Sequence, residues 1–447
     1  MTDRDVRPAQ SLWQKFRAGY LTWFFLFTLT CFALWAYVTA TGLPSLIFLM
    51  GLACIGSLRD WKRFAPFTVL TGVLLLMAVL RSDFADMLRA GASLAEASAK
   101  SHFYFVAPIC LWVTCWAVIF TARGLDDARA LRVFQWFVVV MMVLCAIQFI
   151  EAISQFGIRR ALSAAYFHSR DRMLIVGMAN TNTVLLMMVW PLTLYSVMRG
   201  LWLPALIIAL VVVAAAVTSD NNAQLLGLAA SAIVFVCAKY WPKRWLRKGF
   251  APERVAAILA FVGIVGFPAL IWQVMRNGMA ERLKTDILPS WAARIDIWSF
   301  AVERSLEKPF WGWGYEASRQ FDPIIPNHPH NMSLQAWLEL GIPGLLLVGG
   351  IWLCLFWVMG AQADDGPEEI RPGTDLRALD DAPAPFVETG LGARFRPYLM
   401  AQATAYLIIC MISYGLWRAW FYVLGAFAVM TAILAMKAAT ETLRLRN

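Results

Sequence analysis

Apolar runs dominate this chain and recur along its whole length, separated by short polar stretches. Twelve of them are long enough to be read as helices crossing about 30 Å of hydrocarbon. They lie near 20–38, 43–58, 64–80, 103–121, 132–150, 182–198, 201–217, 223–240, 253–275, 342–360, 397–414 and 416–436. In lipid the backbone must hydrogen-bond within each segment, so the expected class is an all-α, polytopic integral membrane protein with about 12 transmembrane helices. The pattern divides the chain into a bundle of about nine spans over 1–275, a large helical loop over 276–333, and a C-terminal part, 334–447, with the last spans. Within that part, Gly360 to Pro397 holds eight acidic residues and five prolines but few large apolar ones. Such composition predicts a flexible tether over 361–396.

Composition agrees: 60% of residues are apolar and 15% charged, with a mean hydropathy of +0.61. All eight cysteines fall inside apolar runs and none forms a Cys-x-x-Cys pair, so neither a metal cluster nor a disulfide framework is indicated. The polar stretch Met1 to Arg17 is unlike a signal peptide, leaving the first span as the expected targeting signal. Placing both termini in the cytoplasm puts 24 of the 39 basic residues on that side, mostly in short loops, as the positive-inside rule prefers. All four histidines, His102, His168, His328 and His330, then face outward.

Two outer loops are rich in basic residues. Loop 151–181 carries Arg159, Arg160, Arg170 and Arg172, and loop 276–333 carries Arg276, Arg282, Lys284, Arg294, Arg304, Lys308 and Arg319. Each is readable as solvated surface; together they suggest an electropositive cavity for an anion. In the larger loop, apolar spacing predicts an amphipathic helix over 292–307 with Ile295, Trp298, Val302 and Leu306 on one face, ended by Pro309. The Gly-aromatic run Phe310 to Tyr315 suits the headgroup level. Asn331 then reads as the N-cap of a helix carrying Leu334, Trp337 and Leu338, Gly341 as its stop, and Pro343 as the first turn of the next. His330 would therefore stand just before a helix N-terminus, a favourable place for an anion.

The sequence lacks a P-loop, a DxD-type pair and a Gly-rich nucleotide cradle, which excludes an ATP-driven pump. Ionisable residues are almost absent from the spans, with Glu151 and Asp220 only at their ends, which opposes proton- or ion-coupled transport. Arginine binds phosphate bidentately, and histidine near neutral pH takes a proton from an attacking hydroxyl. The combination suits transfer from a phosphate-activated donor outside the cytoplasm. If arginines neutralise the leaving pyrophosphate, neither metal nor cofactor is required.

The run Arg294-Ile-Asp-Ile-Trp through Pro309-Phe-Trp-Gly-Trp-Gly314, then His328-Pro-His-Asn and Leu334-Gln-Ala-Trp-Leu-Glu-Leu-Gly341, resembles the O-antigen ligase and polymerase superfamily. Gly177-Met-Ala-Asn-Thr-Asn182 is similar to that family's Gly-x-x-Asn-x-Asn at the start of a middle span. The motifs cover about a third of the chain. The resemblance implies transfer of a glycan from undecaprenyl pyrophosphate to the core sugar of lipid A at the inner membrane, on the periplasmic face and without metal. It gives His330 the place of the catalytic histidine and Arg294 that of a donor-phosphate arginine. One departure stands out. Where many members have Ser-Arg-Gly, Thr218-Ser-Asp-Asn-Asn-Ala223 has no arginine. Arg170 and Arg172 are the expected substitutes, with Arg282 behind them, and Asn180 and Asn182 are either span caps or donor contacts. His328, Asn331 and Glu339 are expected in support, with His328 the alternative to His330 as base and Glu339 sharing a helix face with Gln335 and bracing it. The expected partners are the lipid-linked glycan, lipid A-core and membrane lipid, with no nucleic acid. Pro329 is expected to aim the two imidazoles apart. The motif does not encode the acceptor, so a polymerase or a protein O-oligosaccharyltransferase of the same superfamily stays open. A flippase or channel, from another class, should line its membrane interior with charge, which this chain lacks.

Overall fold

The computed structural model describes residues 12–58, 65–100, 105–164, 171–246, 249–286, 289–361 and 391–446. Among them the elements are helical, with no strand. In chain order they are α1 (Leu12–Val38), α2 (Leu43–Ala53), α3 (Ala65–Leu80), α4 (Asp83–Arg89), α5 (Leu94–Lys100) and α6 (Val106–Arg123). Then come α7 (Asp127–Ile153), α8 (Gly157–Leu162), α9 (Asp171–Met198), α10 (Leu203–Thr218), α11 (Asn222–Lys239) and α12 (Lys243–Leu246). The last six are α13 (Pro252–Arg276), α14 (Met279–Asp286), α15 (Pro289–Glu307), α16 (Met332–Ala361), α17 (Leu391–Ile412) and α18 (Ala419–Arg444).

Each of the twelve apolar runs falls on one of these helices, but they do not make twelve equal crossings. Among the described residues nine helices are long and apolar enough to span alone: α1, α6, α7, α9, α11, α13, α16, α17 and α18. The pair α3 and α4, bent by 56°, makes a tenth if taken as one broken span. At about 1.5 Å per residue, the 16 residues of α10 and the 11 of α2 fall short of the hydrocarbon thickness. Of the tether expected over 361–396, residues 362–390 lie outside the described residues; the ends are not tether, since Ala361 closes α16 and 391–396 open α17, where Arg396 pairs with Glu253.

The centre of the bundle is α9 and α18, the most enclosed spans. Between helices in lipid no hydrophobic force favours contact, so small side chains and interhelical hydrogen bonds decide packing. Ala428, Ala435, Ala438 and Ala439 on α18 are buried against its neighbours. Gln402 of α17 donates to the carbonyls of both Met187 on α9 and Ala428 on α18, each at 3.1 Å.

To one side, α13 and α16 pack along their length and α15 lies against both. Ile271, Ile297, Trp298, Ala301, Val302, Leu334 and Leu338 form the shared apolar seam. The buried face of α15 is thus Ile297, Trp298, Ala301, Val302 and Ser305. Leu306, expected on that face, is exposed, because the packed stripe turns toward Ser305. The helix also starts earlier than expected, with Pro289 in its first turn.

The stop expected at Gly341 is real: its backbone (φ 70°, ψ −166°) breaks α16 into a short, mostly buried piece and a long span. A break leaves carbonyls without intrahelical partners. The Gly-aromatic turn supplies them, with Trp313 N donating to Leu338 O at 2.8 Å and Gly314 N to Glu339 O at 2.9 Å. Ile342 N answers by donating to Pro309 O at 2.9 Å. The approach is so close that a Cβ on Gly341 or Gly312 would overlap the opposite backbone. Two glycines let a loop and a span share one hydrogen-bonded seam.

Candidate active site

The site forms where four separate stretches meet. These are α15 with Arg294, the loop His328 to Asn331, the start of α9, and the turn from Ser413 to Arg418 between α17 and α18. Trp298 Nε1 donates to Pro329 O at 2.9 Å and fixes the loop on α15. Asn331 caps α16 as expected, its Oδ1 accepting Leu334 N at 2.8 Å, while its Nδ2 donates to Met411 O at 2.6 Å.

Hydrogen bonding sets the state of both histidines. His330 Nδ1 lies 2.8 Å from Ser413 O. A carbonyl only accepts, so the proton of neutral His330 sits on Nδ1 and the lone pair on Nε2. His328 is set the opposite way. Its Nδ1 accepts the His330 backbone N–H at 3.1 Å, so its remaining proton sits on Nε2. That bond also secures His330 in the left-handed region, φ 54°, which non-glycine residues seldom adopt. The rings do not diverge as expected from Pro329; their centroids are 4.4 Å apart, tilted by 57°.

Burial separates them further. His328 is buried, and its pKa is pushed down to about 2, first by burial and then by the charges of His330, Arg418 and Arg319. His330 is half-buried; burial lowers its pKa, the Ser413 carbonyl partly restores it, and Arg294 and Arg418 lower it again. Tyr414, beside Ser413, is pushed up to about 12, chiefly by burial. It therefore keeps its proton and donates to Asn180 Oδ1 at 3.0 Å.

Glu339 is fully buried with both oxygens occupied. Ser318 Oγ (2.7 Å) and Gln335 Nε2 (2.9 Å) donate to Oε1; Trp417 Nε1 (2.7 Å) and Glu316 N (3.0 Å) donate to Oε2. It braces the helix as its spacing with Gln335 suggested, and it also ties the loop to the α17–α18 turn. Gln335 completes the tie by accepting Leu416 N at 2.7 Å. Gly415 sits so close to Gln335 and the His328 ring that a side chain there would overlap them.

Arg294 packs over Trp291 at 5.0 Å and donates from Nη1 to Ser290 O at 3.2 Å. Its Nε is buried without a partner, as are those of Arg81, Arg159, Arg304 and Arg396, but no acid pairs with it among the described residues. Other basic groups of the loop are matched on the spot: Lys284 with Glu281 and Asp296, Arg304 with Glu307, Arg319 with Glu316. Arg159 is matched too, pairing with Glu151, stacking 4.5 Å over Tyr37 and donating to Thr181 at 2.8 Å.

The structure thus brings together His328, His330, Asn331, Arg294, Glu339 and Asn180. It does not bring Asn182, which is fully buried and donates to Val212 O on α10 at 3.0 Å. Neither asparagine caps a span, because α9 begins at Asp171 and carries both inside it. Arg282 is exposed on α14. Arg170 lies outside the described residues, and Arg172 is placed only as part of α9. The sequence reading passed over the Ser413–Arg418 turn, which looked nearly empty of charge. Its one local signal was Arg418, the single basic residue between the last two spans.

A helical membrane protein with a histidine, arginines and aromatic groups gathered at one end of its bundle is the class this geometry defines. Comparison with known proteins narrows it. Residues 207–349 match the profile of the O-antigen ligase family, a stretch that holds Arg294, His330 and Glu339. A provisionally named polysaccharide ligase of Rickettsia typhi is 27% identical over 263 residues, 56% of this chain and 56% of its own length. Its counterpart in Rickettsia conorii is 27% identical over 235 residues, 49% of this chain and 48% of its own. The chain spans about half the length of the curated relatives it matches. The resemblance to the O-antigen ligase superfamily read from the sequence is borne out.

Proposed function

We propose that this protein is a membrane glycosyltransferase moving an O-antigen polysaccharide from undecaprenyl pyrophosphate to the core sugar of lipid A, on the periplasmic face of the inner membrane. The observation that carries the reading is the tautomer of His330. Its Nδ1–H is taken by Ser413 O, which leaves Nε2 as a neutral acceptor, with the Arg294 charge near enough to lower its pKa. Nε2 removes the acceptor hydroxyl's proton as that oxygen bonds to the anomeric carbon. The bond from that carbon to the pyrophosphate oxygen breaks, and undecaprenyl pyrophosphate leaves with the electron pair. Arg294 binds the charge that develops there. A single displacement inverts the anomeric centre. Glu339, whose four donors occupy both oxygens, is not free to act as a covalent nucleophile.

The test is deletion of the gene in its host with gel analysis of lipopolysaccharide. Core-lipid A without polymer, with lipid-linked polymer accumulating, supports the ligase. A ladder reduced to single repeats would show a polymerase instead, and an unchanged ladder would refute both. Transfer by purified protein that stops on adding EDTA would refute the metal-free step.

A further inference from the structure

On the reading above a second arginine would share the pyrophosphate charge with Arg294, and the turn between α10 and α11 carries Asp220 and no arginine. We propose that Arg418, at the N-cap of α18, is that residue and completes a pyrophosphate-binding pair with Arg294. The proposal stands on how the turn is held. Ser413 O is fixed by His330, Tyr414 OH by Asn180, Leu416 N by Gln335 and Trp417 Nε1 by Glu339. Four ties to three other elements hold six residues in place, and Arg418 is the last of the six. Its N–H donates to Gly415 O at 3.3 Å and its carbonyl accepts from Phe421 and Tyr422 at 2.9 Å each. The backbone is locked while the side chain is exposed. Among the described residues no acid pairs with it, unlike Arg159, Arg304 and Arg319.

Position relative to the missing arginine fits as well. Just past the turn between α10 and α11, α11 reaches α9 through Gln224 in its first turn, which donates to Thr183 Oγ1 at 3.0 Å. Thr183 is in turn 3.5 Å from the Tyr414 hydroxyl. The position that lacks arginine and the turn that offers one are therefore neighbours around the same residue of α9. Two of the ties, Ser413 O to His330 and Trp417 Nε1 to Glu339, hold the turn that carries Arg418 against the histidine loop and α16. The N-terminus of α18, a helix of 26 residues, adds a favourable field for an anion at the same spot.

The experiment is binding of inorganic pyrophosphate to the purified full-length protein in detergent, with EDTA and at low ionic strength. Wild type is compared with Arg418→Ala, Arg418→Lys, His330→Ala and, as a control for general charge, Arg276→Ala. Loss of a charge-assisted contact predicts at least a tenfold weaker affinity for Arg418→Ala, a smaller loss for Arg418→Lys, and near wild-type affinity for the other two. In turnover assays Arg418→Ala should raise KM for the lipid-linked donor and leave KM for the acceptor alone. Wild-type affinity in Arg418→Ala, equal weakening in Arg276→Ala, or no binding by wild type would each overturn the proposal. The two readings fail separately. Pyrophosphate binding that depends on Arg418, in a protein whose deletion leaves lipopolysaccharide unchanged, supports the anion site and refutes the ligase. Loss of ligation in His330→Ala with normal pyrophosphate binding in Arg418→Ala does the reverse.

Discussion

His328 should be a support whose job asparagine can do and leucine cannot. The Oδ1 of asparagine can take the place of Nδ1 as acceptor for the His330 N–H, whereas leucine leaves that half-buried donor unpaired at a cost of about 1–3 kcal/mol. The same bond holds the φ of 54° at His330, so its loss should also misplace Nε2. His328→Asn is therefore expected to keep turnover within a few-fold of wild type, while His328→Leu loses a large part of it. Stability gives an independent measure. A histidine with an unfolded pKa near 6.5 and a folded value of about 2 is needed neutral. Its contribution is full above pH 6.5 and declines as pH falls through the window down to about 2. The slope is about 1.4 kcal/mol per pH unit, so wild type should lose about 2 kcal/mol from this residue between pH 6.5 and 5. Equilibrium unfolding in detergent at fixed ionic strength, wild type against His328→Asn, isolates it, because asparagine does not titrate. Parallel stability curves for the two proteins, or complete inactivity of His328→Asn, would refute the reasoning.

His330→Ala should leave folding intact and cut transfer by about two to four decades. The wild-type rate should be flat at neutral pH and fall only below about 6.5, since burial and two arginines keep Nε2 unprotonated; a rate already falling at pH 7.5 would contradict this. Arg294→Lys should be nearly as damaging as Arg294→Ala, about 2–4 kcal/mol or two to three decades in turnover, because a point charge does not reproduce a fork; normal turnover by the lysine variant would make Arg294 a structural charge. Glu339→Gln should lower thermal stability by about 1–3 kcal/mol, because its amide NH2 must face two of the four donors, and should leave the pH profile of the remaining activity unmoved; a shifted profile would give Glu339 a part in the proton transfer.

Local features were legible in the sequence. Asn331 as a cap and Gly341 as a stop depend on residues within a turn of each other, and both stand as read. Glu339 and Gln335, four apart, were placed on one face correctly. What failed needed distant partners. Of the two readings of Asn180 and Asn182, span caps or donor contacts, the first fails: both lie inside α9, where Asn182 meets a carbonyl of α10 and Asn180 meets Tyr414, more than two hundred residues away. The face of α15 was misread by one position because Ser305 satisfies its hydroxyl on Ala301 O at 2.7 Å and so buries easily. The turn at 413–418 has no periodicity to detect. Its importance comes from four hydrogen bonds to groups between 78 and 234 residues away.

That turn has a consequence for how the protein matures. It is synthesised after α16, yet it supplies the carbonyl that fixes the proton on His330. A nascent chain inserted only as far as α16 holds the histidine, Arg294 and Glu339 but no Ser413, so its imidazole is free to flip between tautomers. On the proposed reading, transfer would be switched on only by insertion of α17 and α18. Fragments divided between Ala361 and Leu391 should each be inert and regain transfer only when made in the same cell.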